Sequence, residues 1–114
     1  MDNIFITSEF NECLAFVQWM KIKGIEFYAH IHQEFYTKSW KQKRKAKDMG
    51  VSSGVPDYMI SYKGKLVFIE MKREKGGKIS LTQKNWINEL NTINNVVAKV
   101  CHGADEAIAF LESL

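Results

Sequence analysis

The chain has 114 residues, 46% of them hydrophobic and 25% charged, an ordinary balance for a soluble α/β or α+β domain. One domain of that length buries roughly two thirds of its unfolded surface. The longest unbroken apolar runs, CLAFV and AIAFL, are five residues, which excludes a membrane-spanning helix, and MDNIFITSEF lacks the basic and apolar regions of a signal peptide.

In chain order, Ser8-Glu9 reads as a helix start. Cys13, Phe16, Val17 and Met20 then recur on one face of a helix that ends near Gly24. Ile25 to His32, IEFYAHIH, reads as a strand of β-branched and aromatic residues. Next comes KSWKQKRKAK, residues 38–47, with Lys38, Lys41, Lys43, Arg44, Lys45 and Lys47 and no acid. The whole chain carries only +3, so outside this segment 10 basic residues face 13 acidic ones. Such a concentrated patch suits a polyanion, although a solvated helix face has the same composition. Met49 to Gly54, MGVSSG, is a loop.

Two apolar strands follow, about Asp57–Tyr62 and Lys65–Met71, then a polar connection from Arg73 to Lys78. SLTQKNWINELNTI is a helix with Ser80 as N-cap and Gln83 at capping-box spacing. VVAKVC is a strand, and Asp105 to Leu114 a closing amphipathic helix. The order is α-β-(basic)-β-β-α-β-α around a mixed α/β (α+β) sheet. The strand-helix-strand unit within it places its two strands parallel. Cys13 and Cys101 lie far apart and outside any CxxC pattern, as expected of reduced core residues in a cytosol.

A two-residue turn at Lys63-Gly64 fixes a register in which facing residues sum to 127. Asp57 then falls opposite Glu70, and alternation puts Asp57, Met59, Phe68, Glu70 and Lys72 on one face. Both faces of the pair are largely apolar, which predicts central strands covered on both sides. Two carboxylates opposed across a strand pair destabilise a sheet. A divalent cation such as Mg²⁺ or Mn²⁺ reverses that sign, and Lys72 beside it can reach a phosphate oxygen or an attacking water. An E-x-K at a strand end also occurs as a surface salt bridge, and a register offset by one residue would separate the acids.

GVPD at 54–57, IEMK at 69–72 and SLTQKNW at 80–86 together resemble the PD-(D/E)xK nuclease superfamily. Within it they resemble the VRR-NUC family, in the short, stand-alone form found in phages. The resemblance spans nearly the whole chain and implies a restriction-endonuclease-like fold. It implies that Asp57, Glu70 and the Met71 carbonyl hold the metal, that Lys72 positions or activates water, and that Gln83 is the motif glutamine. As a capping-box partner of Ser80, Gln83 has an equally good structural reason to be where it is. The family's first-helix acid corresponds to Glu9, with Glu12 as its competitor. Where the family has His followed by Asn-Glu, this chain has Gln33 before Glu34. A zinc set from His30, His32, Cys101 and His102 is the poorer reading, because the ligand spacing is wrong.

The implied activity is a metal-dependent, structure-selective DNA endonuclease, a homodimer resolving four-way (Holliday) junctions in the cytoplasm of a bacterial or phage-infected cell. Lys41, Lys43, Arg44, Lys45 and Lys47 would grip phosphates without reading bases. Phe10, Phe16 and Trp19 on the first helix are a candidate pairing surface. The alternatives are a flap- or restriction-type nuclease and a non-catalytic nucleic-acid-binding protein.

Overall fold

In a computed structural model that describes residues 8–31 and 39–114, helix α1 spans Glu9–Lys23. It starts and stops where the sequence signals lie. The Ser8 side chain accepts the Asn11 N–H, and Gly24 closes the helix at φ 84°. The Gly24 N–H bonds the Lys21 carbonyl and the Ile25 N–H the Met20 carbonyl, a Schellman ending that buries Ile25 with Met20. Ile25 therefore belongs to the helix stop, and the strand expected over 25–32 shortens to β1, Tyr28–His30. His32, Gln33, Glu34 and Lys38 lie outside the described residues.

The basic segment forms a helix, α2 (Trp40–Asp48), capped by Ser39; its one buried residue is Ala46. Strands β2 (Tyr58–Tyr62) and β3 (Lys65–Lys72) are antiparallel in the expected register, from Tyr62 opposite Lys65 to Tyr58 opposite Ile69. Lys63 at φ 51° and Gly64 at φ 75° make the turn, both left-handed as a two-residue hairpin requires. Helix α3 (Leu81–Leu90) carries a complete Ser80/Gln83 capping box. It ends three residues short of expectation because the Asn91 side chain leaves the helix for the sheet. That amide accepts the Ala98 N–H and donates to the Ala98 carbonyl, both at 2.9 Å. Strand β4 (Val96–His102) runs parallel to β3, and α4 (Ala104–Glu112) closes the fold.

The sheet order is β1-β2-β3-β4. Helices α1 and α4 cover one face, packing Phe16, Met20, Ala107 and Leu111 against Tyr58, Ile60, Val67, Ile69 and Met71. Helix α3 lies over the other face along β4, where Gln83 meets Glu70. It leaves β2 uncovered there, so Met59 is 39% exposed and Ser61 is exposed as well. The expectation of two covered faces thus holds at the centre of β3 and fails for β2. The candidate pairing surface changes too. Phe16 is wholly buried and Trp19 stacks on it at 6.5 Å, which leaves Phe10 as the exposed member of the three.

Cys13 and Cys101 are free thiols, half-buried and buried respectively. Among the described residues no helix is long and apolar enough to cross a membrane.

Candidate active site at the open end of the central strand pair

The β2–β3 ladder ends at Tyr58 opposite Ile69, yet β3 continues to Lys72, held by β4 alone. Asp57 stands in the gap where the strands part. Its backbone carbonyl accepts the Ile31 N–H at 2.6 Å, which extends the β1–β2 pairing by one residue. Its carboxylate Oδ2 accepts the Met71 N–H at 2.8 Å, taking the place of a strand carbonyl. The residue before it, Pro56, is buried and has no N–H to give to a ladder. Asp57 and Glu70 therefore do not form the ladder pair that register counting implies. The strands splay and the aspartate side chain inserts between them.

Glu70 is 3% exposed. Its Oε2 accepts a 3.0 Å hydrogen bond from Gln83 Nε2 and lies 3.5 Å from Lys72 Nζ. Gln83 fills both roles that its position allows. Its Oε1 accepts the Ser80 N–H at 2.9 Å, completing the capping box, while the other end of the same amide holds Glu70. The two readings of Gln83 are thus compatible, because a primary amide carries an acceptor and donors on separate atoms.

Gly54 explains how the GVPD segment is held to that helix. It has φ 89°, and a Cβ there would lie 2.5 Å from the Thr82 carbonyl carbon and 2.8 Å from the Gln83 nitrogen. Only glycine lets the loop lie against the first turn of α3. The loop carrying Asp57 and the helix carrying Gln83 are thereby locked together.

Glu9 and Glu12 separate cleanly. Glu9 lines the same cleft as Asp57, Glu70, Lys72 and Gln83, a cavity of about 1060 Å³. Glu12 is 8% exposed, and its Oε1 accepts the Ala104 N–H at 2.8 Å. It caps α4, whose own N-cap, Gly103, has no side chain to do so. Helix α1 thus sends one acid to the cleft and the other to the start of α4.

Both carboxylates in the cleft are pushed toward their neutral forms. Burial, together with the neighbouring Asp57 charge, pushes Glu70 up to about 7 despite the Lys72 ammonium. Burial likewise raises Asp57; the Met71 N–H and the charges of His30 and Lys72 oppose the rise, and Glu9 adds to it. A half-buried and a buried carboxylate, the charge of the first raising the second, are the kind of oxygen pair a hard divalent ion relieves. Asp57 and Glu70 offer oxygen donors of the kind such an ion takes. Among the described residues no group of three or more His, Cys, Asp or Glu side chains is placed to hold a metal ion, so any ion at this pair draws its remaining ligands from backbone and water. Of the zinc set, His32 lies outside the described residues, and His30, Cys101 and His102 each have other surroundings. His102 Nδ1 lies 3.3 Å from the Arg73 carbonyl, His30 packs edge-on to Tyr58, and Cys101 is buried.

Lys41, Lys43, Arg44, Lys45 and Lys47 are exposed on α2, and none of them lines the cleft. The loop that follows α2, Val51 to Val55, does line it. Sequence reasoning missed two neighbours of the carboxylates. His30, named from sequence only as a zinc candidate, lines the cleft at the exposed end of β1. Cys13 also lines it, hydrogen-bonded to the Tyr58 side chain, with its thiol pushed up to about 11 by burial.

A four-stranded mixed sheet between helices, opened at one end around an Asp and a Glu-x-Lys, is the arrangement of the PD-(D/E)xK nuclease class. The family model of the VRR-NUC domain matches residues 3–105, and the chain belongs to that family. A solved structure described as a "VRR_NUC domain protein" superimposes with a TM-score of 0.74 at 22% identity, covering 94% of this chain and 87% of its own. It shares the restriction-endonuclease-like fold. No curated protein matches the chain.

Proposed function

We propose that this protein is a metal-dependent, structure-selective endonuclease that hydrolyses DNA phosphodiester bonds, acting on four-way junctions as a homodimer. The observation that carries the reading is the half-buried Asp57 and the buried Glu70 brought together at the splayed strand end with Lys72 alongside. A folding argument alone disfavours that grouping, since burial raises both acids.

Asp57, Glu70 and the Met71 carbonyl would hold Mg²⁺ or Mn²⁺. When bound, such an ion polarises a phosphoryl oxygen and lowers the pKa of coordinated water. The chain's own groups do the positioning. Gln83 fixes one oxygen of Glu70, and the Met71 N–H fixes one oxygen of Asp57, so each carboxylate has its second oxygen available. The Lys72 ammonium, now paired with Glu70, is placed to orient an attacking water and to meet the charge that develops on the phosphate. Glu9 adds a third negative charge that favours cation binding. The basic face of α2 would contact phosphates flanking the cut, without base readout.

One domain of this size presents one such cleft, and a junction needs two cuts. A twofold dimer on a twofold substrate supplies them. The test uses a labelled four-way junction, a flap and a linear duplex, each with Mg²⁺, Mn²⁺ or chelator. Metal-dependent cutting that disappears in Lys72→Ala while binding persists is the expected result. Preference for the flap or the duplex would replace junction resolution with another nuclease of this superfamily. Binding without cutting in either metal would leave a nucleic-acid-binding protein.

A further inference from the structure

One wall of the cleft carries two apolar side chains, Phe10 and Leu14, that neither core packing nor metal chemistry requires. Helix α1 contributes Phe10, Leu14 and Val17 to the cavity that holds Asp57, Glu70 and Lys72. Phe10 is 73% exposed and Leu14 46%, one helical turn apart on the same face. The inward face of α1 is a different row, Glu12, Phe16 and Met20. Phe10 therefore adds nothing to the core, and water surrounds most of a phenyl ring next in sequence to Glu9.

We propose that Phe10, with Leu14 beneath it, is a platform for one unpaired nucleobase adjacent to the scissile phosphate. The proposal rests on the nuclease reading above. A phosphodiester held by the charged floor carries its sugar and base to a cleft wall. The loop Val51 to Val55, which also lines the cavity, offers two serines, two valines and a glycine, and of the other aromatic rings there Tyr58 is 4% exposed and His30 packs edge-on against it. On the α1 side the base meets an exposed aromatic face. Aromatic side chains stack nucleobases with little regard to sequence, because every base has a π-face. A base inside a continuous duplex is already stacked and has no free face to give. The platform thus selects DNA in which a nucleotide beside the cut is unstacked, as at a branch point or a flap. Selection by structure then needs no base-specific hydrogen bond, in keeping with a cleft wall that is apolar at this point.

The experiment compares Phe10→Ala and Phe10→Trp in a Lys72→Ala background, which prevents cutting during measurement. Fluorescence anisotropy gives affinities for a four-way junction, a flap and an unbroken duplex, and sedimentation gives oligomeric state. Because Phe10 is exposed, far-UV circular dichroism is expected to match the parent. Stacking of one base predicts that the branched-to-duplex affinity ratio falls roughly five- to hundred-fold in Phe10→Ala and is kept in Phe10→Trp. In the Lys72-intact protein, cutting of branched DNA falls in parallel.

An unchanged ratio while the parent still cuts branched DNA overturns the platform and leaves the nuclease reading standing. Loss of a dimer in Phe10→Ala, with affinity for all three DNAs falling alike, overturns it in favour of a second copy covering this face. A parent that neither binds nor cuts any of the three removes both readings together.

Discussion

Gly54→Ala tests whether the motif loop and α3 are a single unit. The substitution acts in two ways. Alanine at φ 89° is in left-handed backbone, which costs about 1–2 kcal/mol. Its Cβ also lies 2.5 Å from the Thr82 carbonyl carbon, so loop and helix must part by about 0.9 Å to reach the 3.4 Å of ordinary contact. The obstacle is backbone in a capped first turn, which no side-chain rotation relieves, and forcing such contacts apart costs about 1–3 kcal/mol. The expected total is about 2–5 kcal/mol. Gly50→Ala is the control, since Gly50 has φ 92° with nothing within 4 Å of the added atom. It carries the backbone cost alone. Urea unfolding of the three proteins, read at constant m-value, gives the difference. Equal destabilisation by both substitutions would refute the close approach. The second readout is cutting at a temperature where Gly54→Ala remains folded. Moving the start of α3 moves Gln83 off Glu70, so the rate at subsaturating Mg²⁺ is expected to fall at least tenfold relative to Gly50→Ala. Parity there would show that the lock does not reach the site.

Three further outcomes are expected. Glu12→Ala strands the buried Ala104 N–H and lowers stability by about 1–3 kcal/mol, with partial rescue by Gln. Glu9→Ala changes stability by less than about 0.5 kcal/mol but lowers cleavage, and the reverse pattern would exchange their roles. Glu70 has an ordinary value of 4.5 and stands at about 7 in the folded, metal-free protein, so the unfolded chain ionises first. In chelator the stability contributed by the neutral form is full below 4.5, declines from 4.5 to 7 and levels off above. Glu70→Gln removes that decline, worth about 1–3 kcal/mol at pH 8, and an identical pH–stability curve in the variant would sink the assignment. Neutralising Lys43, Arg44 and Lys45 together lowers the log–log salt slope of DNA binding by roughly 2.7, whereas an unchanged slope removes α2 as the phosphate grip.

How much was legible in the sequence can be argued from a few residues. Local chemistry announced the ends of α1. Ser8 and Gly24 are a cap and a stop whose action involves only their neighbours in the chain. The hairpin register was equally local, because a two-residue turn at Lys63-Gly64 leaves one pairing. From that pairing, Asp57, Glu70 and Lys72 fall at one end of the sheet. Alternation could not say where the ladder stops. Whether β2 parts from β3 after Tyr58 depends on Ile31 pulling the Asp57 backbone and on the Met71 N–H taking its side chain.

The division between the acids of α1 shows the same boundary. Helical spacing put both Glu9 and Glu12 near apolar neighbours and left either free to be the site acid. Only the position of α4, whose glycine cap cannot satisfy its own first turn, draws Glu12 away and leaves Glu9 in the cleft. Gln83 was similarly readable as a cap, but its bond to Glu70 needs the α3 start to lie over β3, and Gly54 sets that distance. The sequence by itself determined the elements, the register and the chemistry gathered at one sheet end, since those follow from contacts a few residues apart. Tertiary structure alone decided how far the strands splay, which acid faces the cleft and which aromatic stays in water. Those outcomes depend on packing between segments far apart in the chain.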